Sequence, residues 1–464
     1  MSNPSPRLII IGLDCMEPSL VFEQWRDDLP NLSRLMDQGS YGRLESSIPA
    51  ITVPAWSCMT SGRDPGELGI YGFRNRRSRD YHSMAISDGR AVKVPRLWDI
   101  LGEADWQVAV LSVPGTSPPY PVNGSLVSCF LTPNTDSPFT HPPELAEQIL
   151  EWMPDFMLDV PQFRSNDKAR ILGNLFTLCD QRFTLAEKLI HRDSPDMLML
   201  VDMGTDRIHH SFWKPMDPRH PQYEPDSPYR DAIHDYYCHV DQRIGDLLNQ
   251  CSDETAVLVV SDHGARPLMG GICINEWLMA QGYLTLKETP SEPVSLDRAA
   301  VDWSQTKVWG AGGYYARIFI NVEGREPEGI VSMAEYEALR SQLAEQLKTL
   351  TDPEGNPLVV KVFRPQEIYR RVRGMAPDLI VYFDDLAWRS IGSVGIGALH
   401  TTDNDTGPDD ANHAPFGLMI FHDPQSPKSG QVLEGAQLYD ILPTLLSRYG
   451  LQSPTGLRGK VLPV

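Results

Sequence analysis

The sequence predicts an α/β fold, with a mostly parallel central sheet flanked by helices and a smaller inserted subdomain. Two observations lead there. Short apolar runs alternate with amphipathic stretches along most of the 464 residues, the pattern of buried strands whose connecting helices cover both faces of a sheet. The rhythm breaks over residues 265–375, which marks the insertion.

The elements follow in order. Leu8–Leu13 is an unbroken apolar run, short enough for a strand buried on both faces. Residues 30–38 form a helix with Pro30 at its first position and Gly39 just past its end. Runs over 106–111, 197–201, 256–260, 378–383 and 418–421 are further buried strands. The clearest helix covers 231–249, where Ile233, Tyr237, Val240, Ile244 and Leu247 recur at three- and four-residue steps along one face. Inside the insertion, Gly310–Gly313 precedes the pair Tyr314-Tyr315, a strand over 316–321 and a helix over 333–350. The expected division is therefore a catalytic core of residues 1–264 and 376–464, with 265–375 as an accessory or cap insertion. The proline-rich stretches 114–121 and 215–228 read as ordered loops.

Composition narrows the function. With 41% hydrophobic and 22% charged residues the chain is an ordinary globular protein. No run approaches the roughly 20 apolar residues of a membrane helix. The first apolar run lacks the basic flank and cleavage site of a signal peptide, so the expected compartment is the cytoplasm. Seven scattered cysteines, with no C-x-x-C pair, argue for reduced thiols over a disulfide framework. A net charge of -20 repels polyanions and disfavours nucleic-acid polymers as partners. Small phosphoesters remain possible, because bound divalent cations invert the local field and need carboxylate ligands.

In open parallel sheets, ligands bind beyond the carboxyl ends of the strands. Asp14 follows the first strand. Asp202 follows the run 197–201, with Asp206 and His210 close behind. Asp262 and His263 follow the run 256–260, and His413 precedes the run 418–421. Asp206 and His210 stand four apart, so on a helix they share a face. Clustered carboxylates repel one another and call for cations, and a mixture of Asp and His suits Zn²⁺ or Mn²⁺ better than Mg²⁺. Thr52 lies in Ile51-Thr52-Val53-Pro54-Ala55-Trp56. Pro54 disfavours helix before it and suits a first turn, which puts Thr52 just ahead of a helix N-terminus, where free N–H groups attract an anion. Beside a metal, that hydroxyl becomes an accessible nucleophile.

Together these residues resemble the alkaline phosphatase superfamily, and within it the type I phosphodiesterase/nucleotide pyrophosphatase family. The resemblance runs from Asp14 through the T-x-P-x-W stretch, Asp206-x-x-x-His210 and Asp262-His263-Gly264 to His413. Supporting similarities are Gly62, Pro65, Gly69-Ile70, Thr205-Asp206-Arg207, Phe212-Trp213, the run Asp440-Ile441-Leu442-Pro443-Thr444, and Gly459-Lys460. It implies an alkaline phosphatase-like core and two divalent metal ions per chain, Zn²⁺ first and Mn²⁺ as the alternative. Asp14, Thr52, Asp262 and His263 would hold one ion, and Asp206, His210 and His413 the other. Asp202 is the rival of Asp206, but the step to the histidine fits the family only from Asp206. The implied reaction is in-line attack by Thr52 on phosphorus, a covalent phosphothreonine-type intermediate, and retained stereochemistry.

The chain departs from the family in two places. Cys15 stands where many relatives have Gly. Eukaryotic-type members carry an Asn about 21 residues after the Thr, where this chain has Phe73. The phosphate contact would then fall to Arg74, Asn75 or Arg76, with Tyr314, Tyr315 and Arg317 as further candidate substrate contacts. A sulfatase is set aside, since neither Cys15 nor Cys58 lies in C-x-P-x-R. A phosphomonoesterase or phosphomutase shares the ligand set, and a non-catalytic metal-binding scaffold is the reading from another class. The sequence leaves the natural substrate and the oligomeric state open.

Overall fold

The structure, a computed structural model, describes residues 5–464. Its centre is a ten-stranded sheet. Along it run Gln431–Val432, Ser40–Glu45, Phe416–His422, Ala256–Val260, Leu8–Leu13, Met197–Asp202, Val108–Leu111, Gly124–Val127 and Thr140–His141, with Ala436–Gln437 paired to Ser40–Glu45. The five strands from Ala256–Val260 to Gly124–Val127 are mutually parallel. Leu8–Leu13 lies in the middle, and alternate side chains serve the two faces. Ile9, Ile11 and Leu13 join one apolar cluster, while Leu8 and Ile10 join the other. Burial on both faces is why this strand reads as an unbroken apolar run.

The helices Pro30–Gln38, Lys168–Asp193 and Ala232–Leu248 pack on one face. Thr52–Ser61 and Ile441–Arg448 lie on the other. None of these elements, nor any other helix among the described residues, is long and apolar enough to cross a membrane. Two of the supporting family similarities serve the fold here. Asp440 accepts from the Gln437 and Lys460 amides, and Thr444 accepts from the Leu462 amide, which ties the C-terminal strap to the core.

A second, seven-stranded sheet contains Val308–Ala311, Ala316–Ile320, Leu379–Phe383, Trp388–Ile391, Gly270–Cys273 and His400–Thr401, with Val360–Phe363 beside Leu379–Phe383. One expectation is corrected here. The run 378–383, assigned to the core, forms Leu379–Phe383 and pairs with Ala316–Ile320 and Val360–Phe363 in the second sheet. Buried strands of the two sheets have the same composition, so the apolar run alone does not say which sheet it joins. The strands of the second sheet run on along the chain to His400–Thr401. The chain returns to the core at Ala411–Ala414, an antiparallel partner of Gly264–Pro267 that sets His413 opposite Ala265.

Candidate active site

Three parallel strands end side by side and deliver the site. Asp14 follows Leu8–Leu13 and its amide donates to the Asp202 carbonyl at 3.1 Å. Asp262 and His263 follow Ala256–Val260, and Asp206 and His210 sit on the helix Gly204–Met216 after Met197–Asp202. Each of these carboxylates and imidazoles is at most 1% exposed.

Thr52 is the first residue of Thr52–Ser61, with Ile51 as the cap, one position further into the helix than Pro54 suggested. The first helical hydrogen bond runs from the Ala55 amide to the Ile51 carbonyl at 3.0 Å. The Thr52 and Val53 N–H groups precede it, as the unpaired donors of a helix start do. The Thr52 hydroxyl donates to Asp14 Oδ1 at 3.4 Å and stands 3.5 Å from His263 Nε2. One turn on, the Trp56 indole N–H donates to Asp14 Oδ2 at 2.6 Å. The four-residue step in T-x-P-x-W thus turns two side chains of one helix toward one carboxylate. Gly12 makes the packing possible, because a Cβ there would lie 2.4 Å from the Trp56 ring. Cys15, where many relatives carry Gly, has φ +63°, a left-handed conformation that glycine adopts at little cost. Its amide donates to Asp262 Oδ1 at 3.2 Å and its thiol to the Gly264 carbonyl at 3.2 Å.

Two sets of ligand atoms result. In Asp14, Asp262 and His263, and again in Asp206, His210 and His413, one atom from each residue lies within 4.8 Å of the others. Cys15 Sγ comes equally close to His263 and His413, but burial pushes its thiol up and its hydrogen goes to Gly264. The imidazoles are oriented alike. His210 Nδ1 meets Asp409 Oδ1 at 2.6 Å, His413 Nδ1 meets the Ala50 carbonyl at 3.1 Å, and His263 Nδ1 meets the Gly264 carbonyl at 3.2 Å. With each Nδ1 facing an oxygen acceptor, the hydrogen-bond network assigns its proton there and leaves the Nε2 lone pair for the cluster, the arrangement of metal-ligating histidines. Asp206 Oδ1, Asp262 Oδ2 and His413 Nε2 are buried with no hydrogen-bond partner. Buried acceptors left without a donor are costly unless a cation satisfies them, so the donor set fits divalent metal ions.

Electrostatics agree. Burial, and then the Asp206 charge, push the Asp14 carboxyl well above the usual range. Burial and the Asp14 charge do the same to Asp262. Burial and His413 push His263 far down, and burial also lowers His413. Burial alone would raise Asp206, but His210 and Arg207 outweigh it and hold it well below the normal value. The opposing burial of His210 is overcome by Asp409, Tyr314 and Asp206, which raise it. Without a cation the protein must keep protons on acids it has placed side by side.

Asp202 is excluded as a ligand by its partners. It accepts from the Tyr236 hydroxyl at 2.8 Å and the Gly204 amide at 3.1 Å, which fixes the start of Gly204–Met216. The candidate substrate contacts divide. Arg76 is buried and ion-paired to Glu326 at 2.7 Å, and the Asn75 amide braces Tyr71, Gly72 and Ser87. Both are held in the fold by these partners. Tyr315 donates to the Tyr71 carbonyl, which also ties it to the fold. Arg74 and Arg317 line a cavity beside the second sheet. Tyr314 reaches the ligand cluster: its ring stacks on His413 at 3.9 Å and its hydroxyl lies 3.4 Å from His210 Nε2.

Sequence reasoning missed Asp409, Arg164 and Arg389. Asp409 Oδ1 holds His210, while Oδ2 accepts from Arg164 Nε at 3.2 Å, Arg389 Nη1 at 3.2 Å and Asn404 Nδ2 at 3.3 Å. Asp409 stands four residues before His413, but nothing in its loop distinguishes it from the neighbouring aspartates.

Residues 8–409 match the family described as type I phosphodiesterase / nucleotide pyrophosphatase. No curated protein matches the sequence. Among solved structures, phosphonoacetate hydrolase from Sinorhizobium meliloti 1021, in complex with phosphonoformate, superposes with a TM-score of 0.60 at 16% identity, covering 95% of each chain. Human ectonucleotide pyrophosphatase / phosphodiesterase 5 superposes with a TM-score of 0.56 at 13% identity, covering 98% of this chain and 97% of its own. At these identities the likeness concerns the fold alone, an α/β core around a large, mostly parallel sheet. With the family match spanning most of the sequence, the chain belongs to the type I phosphodiesterase / nucleotide pyrophosphatase family of metal-dependent phosphoric ester hydrolases.

Proposed function

We propose that this protein is a phosphodiesterase of the nucleotide pyrophosphatase type that acts on small phosphoesters with Thr52 as nucleophile. The observation that carries the reading is the meeting of three orphaned acceptors, Asp206 Oδ1, Asp262 Oδ2 and His413 Nε2, with a hydroxyl at the start of a buried helix.

Asp14, Thr52, Asp262 and His263 would hold one divalent cation and Asp206, His210 and His413 a second, Zn²⁺ first and Mn²⁺ next by the chemistry of the donors. Bound there, the pair would supply positive charge for the phosphoryl oxygens and lower the pKa of the Thr52 hydroxyl. The helix start offers the Thr52 and Val53 N–H groups and the positive end of its dipole to the same phosphate. Asp14 Oδ1 accepts the hydroxyl hydrogen and so aims the opposite lone pair of Thr52 Oγ1 outward. As Oγ1 bonds to phosphorus and gives up its hydrogen, the ester P–O bond opposite it breaks and the departing oxygen takes up a proton by way of solvent, so that an alcohol leaves and a phosphothreonine diester remains. Water then attacks phosphorus, the Oγ1–P bond breaks, and Thr52 regains its proton. Two in-line displacements leave the configuration at phosphorus unchanged.

The test is hydrolysis of bis(p-nitrophenyl) phosphate beside p-nitrophenyl phosphate, with Zn²⁺ or Mn²⁺ added, by wild type and Thr52→Ala. The expected result is a diester preference that Thr52→Ala abolishes while metal content is kept. A monoester preference abolished by the same variant would move the function to a phosphomonoesterase or phosphomutase. Full activity in Thr52→Ala would remove the nucleophile.

A further inference from the structure

We infer that the phenol oxygen of Tyr314 is a fourth ligand of the ion held by Asp206, His210 and His413, and that the entering ester takes its place. The inference rests on the two-ion reading above.

Ligand atoms about 2.0–2.1 Å from a tetrahedral ion lie roughly 3.3–3.4 Å from one another. The set completed by the Thr52 hydroxyl shows what such spacing looks like in this fold. Thr52 Oγ1 is 3.4 Å from Asp14 Oδ1 and 3.5 Å from His263 Nε2. His263 Nε2 in turn is 3.2 Å from Asp262 Oδ2 and 3.8 Å from Asp14 Oδ1. In the other set, Asp206 Oδ1 is 3.3 Å from His210 Nε2 and 3.6 Å from His413 Nε2. The Tyr314 oxygen, 3.4 Å from His210 Nε2, falls on the same scale. It stands to Asp206, His210 and His413 as the Thr52 oxygen stands to Asp14, Asp262 and His263. Asp206 Oδ1 and His413 Nε2 are buried without a hydrogen-bond partner, so neither atom is committed elsewhere.

The main chain and the ring are both fixed. Gly313 exchanges two backbone hydrogen bonds with Ser390, at 2.8 and 2.9 Å. Asn412, the neighbour of His413, donates from Nδ2 to the Tyr314 carbonyl at 3.1 Å. The ring stacks on His413 at 3.9 Å. Arg164 Nη2 donates to the phenol oxygen at 2.5 Å. That donor favours negative charge on the oxygen, so the O–H proton can leave for solvent as the oxygen lone pair turns to the ion. Asp409 pairs with both Arg164 and Arg389, which offsets guanidinium charge so close to a cation. Packing explains the ring but not the oxygen, since phenylalanine would stack on His413 as well.

The exchange follows from burial. Thr52 is 2% exposed and the carboxylates and imidazoles of both sets are at most 1% exposed. An ester therefore meets Thr52 only after something above it moves. Tyr314 is half-buried and touches His210 and His413, which places it between solvent and the second ligand set. A catalytic ion with three protein ligands keeps its fourth position for water or substrate. Here the phenol oxygen fills that position at rest, and an ester oxygen takes it over as the ring swings out.

The experiment loads the protein with two Fe³⁺ per chain, supplied as a nitrilotriacetate complex, and reads the visible charge-transfer band that a phenolate bound to Fe³⁺ produces. Metal content is measured after desalting. Wild type should hold both ions and show the band. Tyr314→Phe keeps the stacked ring, so it should hold the ions with a band at least tenfold weaker, while Tyr315→Phe should keep it. Inorganic phosphate in excess should bleach the wild-type band with the iron still bound. Two ions held without a band, or an equal band in Tyr314→Phe, overturns the fourth ligand and leaves the two-ion reading intact. Fewer than two ions held overturns that reading and the inference with it. A band that phosphate leaves unchanged overturns the exchange. None of these readouts depends on turnover, so a failure of the diesterase reading is seen separately.

Discussion

Trp56→Phe is the sharpest perturbation of the site that leaves its ligands in place. The indole N–H donates to Asp14 Oδ2 at 2.6 Å between two fully buried side chains. Hydrogen bonds to charged groups contribute about 1.5–3 kcal/mol. Phenylalanine keeps an aromatic ring over Gly12 but removes the donor, so a buried carboxylate oxygen loses its partner and the proton on Asp14 becomes harder to displace. At about 1.4 kcal/mol per factor of ten, cation binding should weaken roughly ten- to a hundredfold, the usual size for loss of a partner behind a metal ligand. The assay is competition for Zn²⁺ against a chelator of known affinity, with kcat/KM for bis(p-nitrophenyl) phosphate measured beside it. The smaller ring will also lower Tm. A fall in Tm with unchanged Zn²⁺ affinity and unchanged kcat/KM would refute the reasoning, since packing would then be the only role of Trp56.

Three further outcomes follow from the geometry. Asp409→Asn keeps the shape but removes the charge that orients His210 and neutralises Arg164 and Arg389, so Zn²⁺ affinity at the Asp206 set should fall about ten- to a hundredfold by the same chelator titration. Cys15→Val places a β-branched residue at φ +63° and should destabilise by more than about 2 kcal/mol in urea, while Cys15→Gly stays within about 1 kcal/mol because relief of strain offsets the lost thiol. The pH dependence of the metal-free protein follows from the directions given above. Raised Asp14 and Asp262 make the folded state hold more protons than the unfolded one above the ordinary carboxylate pKa of 3.8, so their contribution is lost as pH rises through the raised values. Lowered His263 and His413 act oppositely, but only below the ordinary imidazole value of 6.5. Above it raised His210, whose contribution is lost as pH rises through its folded value, decides the sign. Calorimetry in a chelator should show Tm falling from pH 6.5 to 8, with the gain from added Zn²⁺ larger at pH 8; a chelated Tm that rises over this range would contradict the directions.

Much of the site was legible because its residues stand at strand ends, where an apolar run stops at a charged or imidazole side chain. Asp14, Asp262 and His263 are of that kind, and the i, i+4 step marked Asp206 and His210 as sharing a helix face. His413 was harder: its place depends on pairing with Gly264–Pro267 across about 150 residues, which no local pattern encodes. The role of Trp56 was also hidden. All ten residues of Thr52–Ser61 are buried, so the helix has no polar face and no periodicity to read. Asp409, Arg164 and Arg389 come from loops and a strand of the second sheet that only the tertiary fold brings together. The strand over 378–383 was found but given to the wrong sheet, because burial on both faces looks alike in either. Gly39 stands just past the end of Pro30–Gln38, as the sequence leads one to expect, but in an extended conformation at φ -132°. A Cβ there would lie 2.3 Å from the Phe421 carbonyl, so close approach of a neighbouring strand, not a left-handed turn, calls for glycine.

The central claim, that Thr52 takes the phosphoryl group before water does, is tested most directly by stereochemistry. A diester made chiral at phosphorus with sulfur and oxygen isotopes would be turned over, and the product configuration determined by ³¹P NMR. Two displacements through Thr52 predict retention. Inversion would mean that water attacks the substrate directly, and would contradict the account.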